Sequence, residues 1–345
     1  MVLTVFMRGE IMKSSISMKN IAKELNVSIV TVSKALNDKD GVSEELKLKI
    51  KALADKMGYR YNMMAKSMRD GLSYNIGVII PEHFLGDDKS YYFSVFKHLS
   101  LIMERYQYCA ILQVLNSGDE KDVILPKFYY DKKVDGLIVL GQVNKAYIKA
   151  LQKIEIPVLF LDFYDESTDV DSITVDNYSG AYEITNYLIK SGHVKIAFVG
   201  DIYATSSIQD RYLGMCKSLL EHGIKLREDY VICDRDDQGK YIELKLPSDM
   251  PTAFVCNCDG VAYNLIIKLK EMSYSVPDDF SVVGFDNDIY ATISEPQITT
   301  VEVDVAEMAG TAVKSILDKA KKENRSQGRS TIKGKIVYRD SVKKI

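Results

Sequence analysis

Residues 26–37, with the sequence NVSIVTVSKALN, combine side chains whose chemistry suits a binding surface. Ser28 can cap a helix that begins here, and Val32 and Leu36 then lie on its buried face. The other face mixes apolar and hydrogen-bonding side chains, namely Ile29, Val30, Thr31, Ser33 and Lys34. Hydroxyl and ammonium groups can donate to phosphate oxygens, whereas adjacent outward-facing aliphatic side chains indicate an apolar contact. The pattern therefore predicts a surface that makes both kinds of contact with a partner.

The elements that position this surface are three predicted helices in a head without a strand pattern. Ser17 can cap the first helix and Ser28 the second, and Ser43 opens a third helix that ends at Gly58. The turn at residues 26–28 makes the first two helices a helix-turn-helix, whose second helix presents its N-terminal residues to the major groove of DNA. The sequence thus predicts a DNA-binding head over residues 12–61.

Charge is distributed unevenly along the chain, whose formal net charge is −3 over 345 residues. Residues 1–71 hold 13 Lys and Arg against 8 Asp and Glu, so the remainder of the chain is acidic. A basic head on an acidic body is expected where one segment meets a polyanion. No apolar run approaches the roughly 20 residues of a membrane span, and the N-terminus has no cleavage-site pattern, so we expect a cytoplasmic protein.

From residue 76 onward, short β-branched runs alternate with amphipathic stretches. Apolar strands such as 76–80, 134–140 and 157–161 are separated by helical patterns, and the alternation restarts after residue 176. Near-continuous apolar strands between helices predict parallel sheets covered on both faces. The expected fold is two doubly wound α/β lobes that follow one another along the chain. Doubly wound sheets bind ligands beyond the carboxyl ends of their strands, so the cleft between the lobes is the expected small-molecule site.

Several separated motifs occur in this chain in a fixed order. The head carries MKNIAKELNVSIVTVSKALND and GVSEELKLKIKALADKMGYRYNMMAKSMRDG. Further along are VDNYSGAYEITNYLIKSGHVKIAFVG, VPDDFSVVGFDND, PQITTVEVDVAEMAG and finally IVYRDS. Together they resemble the lactose-repressor (LacI/GalR) family of bacterial transcription regulators from about residue 12 to residue 341, and several ordered motifs are far more specific than one helix-turn-helix. The resemblance implies a periplasmic-binding-protein-like core for effector binding and dimerisation over residues 75–341.

The resemblance implies which head residues contact DNA. In the family the two residues after the capping Ser are the main base readers, and they correspond to Ile29 and Val30. Neither has a hydrogen-bond donor, so the pair should contact thymine methyl groups and favour A·T steps. Lys34 stands where the family usually has Arg and can donate to guanine N7 or O6. The expected DNA-contacting residues of the head are Ser17, Ser28, Ile29, Val30, Thr31, Ser33, Lys34 and Asn37. Alternatively, Ile29 and Val30 belong to the head's own core.

Residues 62–71 match the family's hinge, a short helix that is ordered when two copies meet in the minor groove at the operator centre. The family's intercalating wedge is usually Leu, and the matching residue here is Met68, whose apolar side chain can open a base step. Asn62, Lys66 and Arg69 are the accompanying expected DNA contacts. Without the surrounding match, this Met-rich stretch would be interpreted as an ordinary packed or flexible linker.

The resemblance also implies effector contacts in the cleft. Arg211 in QDRYLGM and Asp286 in GFDND match polar residues that the family directs at the ligand, where guanidinium and carboxylate groups can clamp sugar hydroxyls or a purine edge. Alternatively, Arg211 and Asp286 pair with each other across the lobes and serve closure alone. Because the chain has no Trp, Tyr92 and Phe93 are the expected stacking surface. Further candidate effector contacts are Ser179, Thr205 and Asp259.

Two departures from the family pattern affect this cleft. The run Cys256-Asn257-Cys258-Asp259 stands where members commonly have an Asn-Asp pair, so a thiol can replace an amide contact with the ligand. The segment 234–250 is shorter and more charged than the helix usually found there. We therefore expect a thinner wall in the second lobe.

The spacing of residues does not support a disulfide framework, a metal site or a catalytic motif. Five cysteines in a large chain indicate reduced thiols rather than a disulfide framework. The Cys-x-Cys at 256–258 has no second Cys or His pair at zinc spacing, so no metal or other cofactor is expected. The chain has no G-x-S-x-G elbow and no Walker loop, and we expect no enzymatic activity.

The combined expectation is a DNA-binding transcription regulator, a repressor controlled by a small molecule that is a sugar or sugar derivative. Two copies would pair through their cores on a near-palindromic operator. We expect a dimer, because the leucine-repeat tail of the lactose repressor is missing after IVYRDS. Whether the effector induces or corepresses is open. Two alternatives remain, a small-molecule sensor whose head contacts another protein and an enzyme on the same scaffold.

Overall fold

The computed structural model describes residues 16–59, 63–85, 90–236, 239–321 and 328–345. The chain divides into two compact units, Met1–Gly71 and Leu72–Ile345. Within the described ranges no helix has the length and apolarity needed to cross a membrane. The predicted DNA contact Asn62 lies outside the described residues.

The N-terminal unit is built from short helices. They are α1 (Met18–Glu24), α2 (Ile29–Leu36), α3 (Glu44–Met57) and α4 (Met63–Asp70). Asn26 has a φ of 51°, a left-handed conformation that Asn tolerates and that reverses the chain between α1 and α2. The first three helices enclose a small core made of Ile21, Ala22, Val32, Ala35, Ile50 and Ala54. The predicted three-helix head with a helix-turn-helix is confirmed.

Serine side chains begin these helices much as the sequence predicted. Ser28 Oγ accepts a hydrogen bond from Thr31 N at 3.0 Å, and Ser43 Oγ accepts one from Leu46 N at 3.4 Å. At the start of α1, Asn20 Oδ1 instead accepts from Ser17 N at 2.9 Å. These bonds satisfy backbone donors that have no partner within the helix and so define where each helix starts.

The second unit contains two six-stranded sheets and their covering helices. Its strands are β1 (Asn75–Pro81), β2 (Cys109–Leu115), β3 (Gly136–Leu140), β4 (Val158–Leu161), β5 (Ser172–Val175), β6 (Ile196–Val199), β7 (Val231–Ile232), β8 (Ala253–Cys256), β9 (Ser281–Asp286), β10 (Thr299–Glu302), β11 (Arg329–Ile332) and β12 (Lys335–Val337). Its helices are α5 (Ser90–Arg105), α6 (Ser117–Lys121), α7 (Lys127–Tyr130), α8 (Lys145–Leu151), α9 (Asn177–Lys190), α10 (Ser206–Glu221), α11 (Asp259–Glu271), α12 (Ile289–Ile293) and α13 (Val305–Ala320).

Each sheet forms the centre of one lobe. The first sheet has the order β11-β5-β4-β3-β1-β2 with parallel pairs throughout. The second has the order β12-β10-β9-β8-β6-β7 and is parallel except for the antiparallel pair of β12 and β10. The central strands β3 and β8 are buried along their whole length, which explains their continuous apolar sequences. The predicted fold class of two doubly wound α/β lobes is confirmed.

The order of the lobes along the chain differs from the expectation that one lobe follows the other. The chain crosses from the first lobe to the second after β5, returns after β10, and crosses again between β11 and β12. Helix α13 packs on α5 and on the first sheet, and β11 pairs with β5. Periodicity predicts that a segment is a strand or helix but does not state which sheet it joins. Three crossings therefore connect the lobes where one was expected.

Candidate functional site

The outer face of α2 is the first candidate site. Ile29 is 47% exposed and Val30 is 64% exposed, while Val32 and Ala35 fill the core behind them. The alternative that Ile29 and Val30 belong to the head's own core is therefore wrong. Two adjacent aliphatic side chains at the start of a helix-turn-helix recognition helix are available for thymine methyl groups.

Hydrogen bonds inside the head involve several of the predicted polar DNA contacts. The hydroxyl groups of Ser28 and Thr31 lie 2.9 Å apart, and Asn37 Nδ2 donates to Ser33 O at 2.7 Å at the end of α2. These bonds define both ends of the recognition helix. Ser17 is exposed, and Lys34 extends its Nζ toward the turn at Gly41. A contact of each of these residues with DNA stays a prediction.

Helix α4 carries the predicted hinge residues. The side chain of Met68 is 89% exposed. Arg69 Nε forms an ion pair with Asp70 Oδ1 at 2.8 Å. Burial lowers the pKa of Lys66, and the positive charges of Arg69 and Lys39 add to this shift, although Asp70 opposes it. An exposed apolar side chain with cationic neighbours is suited to enter the minor groove while its neighbours contact phosphate groups.

The second candidate site is a cavity of about 360 Å³ in the second unit, within the size range of small-molecule sites. The first lobe contributes four of its lining residues, Phe84, Tyr91, Tyr92 and Asp162. The second lobe contributes Thr205, Ser207, Ile208, Arg211, Arg235, Tyr241, Asn257, Cys258, Gly260, Tyr263, Asn264, Asp286, Asp288 and Tyr290. The cavity therefore combines aromatic rings with a few charged groups, and four of the predicted effector contacts, Tyr92, Thr205, Arg211 and Asp286, line it.

Arg211 is held rigidly in the wall of this cavity. It lies on α10, which Thr205 caps by accepting from Ile208 N at 3.2 Å. A Cβ atom on Gly214 would lie 2.1 Å from Tyr178 O, so a glycine is required for α10 to pack this closely on α9. This close packing brings the Arg211 side chain to Asn177 at the start of α9.

Arg211 is 6% exposed, and each of its three guanidinium nitrogens donates a hydrogen bond. Nε donates to Asn177 Oδ1 at 2.7 Å, Nη1 donates to the backbone oxygen of Asn257, and Nη2 donates to Asp286 Oδ1 at 3.1 Å. Its Cζ atom lies 3.8 Å from the centroid of the Phe285 ring. Arg211 and Asp286 do form the pair that the alternative interpretation suggested, but both belong to the second lobe, so the pair does not cross between lobes.

Asp162 is the charged group that the first lobe presents to the cavity. It follows β4 directly and is 5% exposed. Tyr92 Oη donates to Asp162 Oδ2 at 3.0 Å, whereas Asp162 Oδ1 has no hydrogen-bond partner in the described part of the chain. Burial raises the pKa of Asp162 to about 7, with Arg211 opposing the shift and Asp286 adding to it. A buried acceptor without a partner is where a ligand donor fits.

Two of the three aspartates that line the cavity occupy unusual backbone conformations. Asp162 has a φ of 68° and Asp286 has a φ of 103°. Residues other than glycine rarely adopt such angles, and where they persist they cluster at binding sites and active sites. The position of both residues at the carboxyl ends of parallel strands is also where doubly wound folds bind ligands.

Two residues of the charged segment 234–250 form part of the cavity wall, and the expectation that this wall is thinner stays a prediction. Arg235 and Tyr241 form an isolated antiparallel bridge, and both line the cavity. Arg235 Nη2 lies 2.6 Å from Asp234 Oδ2, which also accepts from Asn257 Nδ2 at 2.8 Å. The Asn257 side chain thus orients an internal ion pair. Cys258 lines the cavity beside Tyr241, with Sγ and Oη 3.8 Å apart.

Three of the predicted effector contacts do not line the cavity. Phe93 is exposed on α5, and Ser179 N donates to Asp176 Oδ1 at 3.0 Å in the first turn of α9. Asp259 is fully buried, and its Oδ2 accepts from Asp288 N at 3.0 Å. Burial raises the pKa of Asp259 well above its usual range, and the charge of Asp286 adds to the shift. Asp259 thus supports the loop that carries Asp288.

Fourteen of the eighteen lining residues are absent from the predicted effector contacts, among them the charged or polar Asp162, Arg235 and Tyr241. Asp162 had a usable signal, because it directly follows the apolar run 157–161 and so lies at the carboxyl end of a strand. Arg235 and Tyr241 had no such sequence signal, because their segment has no periodicity and their positions depend on contacts with distant residues.

Comparison with known families and proteins gives consistent matches. The model for bacterial regulatory proteins of the lacI family matches residues 17–62, and the model for a periplasmic binding protein-like domain matches residues 185–342. The HTH-type transcriptional regulator RegA from Clostridium acetobutylicum is 30% identical over 337 residues, which cover 95% of this chain and 99% of that protein. The matches therefore span both units.

Two solved structures share the fold. One is the lac repressor dimer bound to operator and the anti-inducer ONPF, with a TM-score of 0.72, 20% identity and coverage of 96% of this chain and 100% of that one. The other is the complex of the transcriptional regulator CelR with cellobiose, with a TM-score of 0.68, 18% identity and coverage of 94% and 99%. At these identities the similarity establishes the fold.

Proposed function

Because this chain belongs to the lacI family of bacterial regulatory proteins, it is a DNA-binding transcription regulator, and we propose that it is a repressor whose operator affinity is set by a sugar or sugar derivative. The family consists of regulators, so the chain is a regulator and not an enzyme. The protein acts on DNA, and we place it in the bacterial cytoplasm.

The observation that carries the proposal is a cavity whose polar groups come from both lobes. Asp162 reaches it from the first lobe, and the Arg211–Asp286 pair reaches it from the second. A ligand that contacts all three groups favours one arrangement of the lobes over others, because only that arrangement allows all the contacts. Carboxylates, a guanidinium and several tyrosine rings suit a hydroxylated ring compound, and the similar regulator CelR is known in complex with cellobiose.

Two copies of the chain pair through their cores and place their α2 helices in successive major grooves of a near-palindromic operator. The exposed side chains of Ile29 and Val30 contact thymine methyl groups, and the two Met68 side chains enter the minor groove at the operator centre. The residues assigned to the head, 12–61, and to the hinge, 62–71, thus have separate roles. The lobe arrangement sets the spacing of the hinges and so the operator affinity.

Selection of binding sites from random duplex DNA by the purified full-length chain tests this function. We expect enrichment of a two-fold-symmetric motif with A·T positions at the bases read by Ile29 and Val30, and a steep fall of affinity with rising salt. No enrichment, with and without added sugars, would contradict DNA recognition. Binding that is insensitive to salt would instead favour a protein partner for the head.

A further inference from the structure

We infer that the cavity selects uncharged, hydroxylated ligands and discriminates against ligands that carry a phosphate or carboxylate group. This inference rests on the proposed function only in taking the cavity to be the effector site. It concerns the charge of the ligand, which the family assignment leaves open.

The two cationic groups among the described lining residues are already neutralised by the protein. Arg211 uses all three guanidinium nitrogens, one of them on Asp286. Arg235 donates from Nε to Asp234 Oδ1 at 3.0 Å and from Nη2 to Asp234 Oδ2 at 2.6 Å, a bidentate arrangement. Both guanidinium groups keep further N–H donors for ligand hydroxyl oxygens, but their charges are already balanced by Asp286 and Asp234. An anion in the cavity would compete with a buried aspartate for either charge, and weakening such a pair is costly.

The carboxylates of the cavity outnumber these cations. Asp162, Asp286 and Asp288 line it, but only Asp286 is paired with a lining cation. Asp162 Oδ1 is buried and without a hydrogen-bond partner in the described residues. An entering anion would face these carboxylates in a desolvated site, whereas a hydroxyl group can donate to them.

The remaining lining groups are suited to a neutral ring. Phe84, Tyr91 and Tyr92 lie on the first-lobe side, and Tyr241, Tyr263 and Tyr290 lie on the second-lobe side. Phe84 and Tyr92 are in ring contact, with centroids 4.8 Å apart. Aromatic rings on both sides can pack on the apolar faces of a sugar while its hydroxyl groups donate to the aspartates.

Calorimetry on the full-length chain with matched ligands tests the inference, at about pH 8.5, where the Asp162 carboxyl with its pKa of about 7 is ionised. The probes are glucose, galactose and cellobiose, together with the uronic acids and 6-phosphates of glucose and galactose. We expect at least one neutral probe to bind, and to bind at least about tenfold more tightly than any acid or phosphate made from it. An acid or phosphate that binds as tightly as its neutral parent, or the failure of every neutral probe to bind, would overturn the inference.

Asp162→Asn provides the second arm, because it keeps the shape of the side chain and removes its charge. The preference for the neutral ligand should shrink by at least about tenfold in this variant. Asp165→Asn, at a half-buried residue that accepts from Ser167 N at 2.8 Å outside the cavity, is the matched control and should leave the preference unchanged. Equal preferences in Asp162→Asn and the wild type would overturn the role of Asp162.

The same ligands, tested for their effect on DNA binding, separate this inference from the proposed function. If an acid binds best and still changes operator affinity, the regulator function stands and the charge preference falls. If a neutral sugar binds best and leaves operator affinity unchanged, the charge preference stands and the effector function falls.

Discussion

Arg211 and Asp286 form a buried ion pair inside the second lobe, with Nη2 and Oδ1 3.1 Å apart. Asp162 belongs to the first lobe, yet the charges of both residues shift its pKa. The second lobe therefore holds a preformed pair, and the first lobe contributes a third acidic group beside it. The proposed function predicts that these three side chains couple ligand binding to the arrangement of the lobes.

Replacing Arg211 should damage both stability and ligand binding. Arg211→Ala leaves Asp286 buried without its partner, and the loss of one member of a buried pair costs about 3–5 kcal/mol of unfolding free energy. Urea unfolding of the full chain measures this change. Arg227→Ala is the control, because Arg227 pairs with Asp229 and Asp249 at the surface and its loss should have little effect. Equal destabilisation by both variants would contradict the structural role of Arg211.

Ligand affinity should depend on pH through Asp162, whose pKa is raised to about 7 by burial. Below this pH the carboxyl is protonated and is a poor acceptor for a ligand hydroxyl. Binding of a neutral sugar favours the ionised form, so affinity should rise as the pH increases through about 7 and become constant above it. Calorimetry between pH 5.5 and pH 8.5, a range spanning roughly 1.5 units on each side, measures this dependence. Asp162→Asn should abolish the rise, and an equal rise in that variant would assign it to another group.

The contact of Ile29 and Val30 with thymine methyl groups can be tested on the DNA itself. Replacing a contacted thymidine by deoxyuridine removes one methyl group and should weaken binding by about 0.8 kcal/mol, or roughly fourfold. Ile29→Ala or Val30→Ala should make binding insensitive to that replacement. Leu48→Ala, at an exposed position on α3, is the control and should retain the sensitivity. The measurement is fluorescence anisotropy with labelled operator, and sensitivity retained in both α2 variants would refute the contact.

The segment that leads from the head into the core is anchored by Asp135. Its Oδ1 accepts from Ser73 N at 2.7 Å and its Oδ2 accepts from Tyr74 N at 2.8 Å. Asp135→Asn replaces one acceptor by an amide group that cannot accept, so amide exchange at residues 73 and 74 should accelerate. We expect operator affinity to fall several-fold, because the residues that directly follow the hinge segment would be held less firmly in the core.

Asp131→Asn is the control for this anchor, since Asp131 forms a surface ion pair with Lys133. It should change neither amide exchange at residues 73 and 74 nor operator affinity. Faster exchange in Asp135→Asn with unchanged operator affinity would show that the anchor has no part in DNA binding.

Local rules predicted the head and the types of element in the core. The caps at Ser28 and Ser43 and the apolar spacing through Val32 and Ala35 are local in sequence, so the helix-turn-helix could be identified from them. The return of β11 to the first sheet could not be predicted from local sequence, because its neighbouring strand β5 is more than 150 residues away along the chain.

The cavity was predictable only where a family motif or a strand end marked a residue. Arg211 and Asp286 lie in such motifs, and Asp162 lies at a strand end. Arg235 and Tyr241 reach the cavity because Asp234 and Asn257 hold the irregular segment in place, and those contacts are not local. Phe93 had the right residue type, but the rotation of α5 directs Tyr92 and not Phe93 at the cavity.

The most direct test of effector-controlled DNA binding is the affinity for the selected operator with and without a saturating cavity ligand, at fixed salt concentration. Coupling between the two sites of about 1–3 kcal/mol predicts a change of roughly 5-fold to 150-fold in operator affinity, in either direction. The reciprocal titration should give the same factor for the effect of operator on ligand affinity. An operator affinity that stays the same for every compound that binds the cavity would contradict the account.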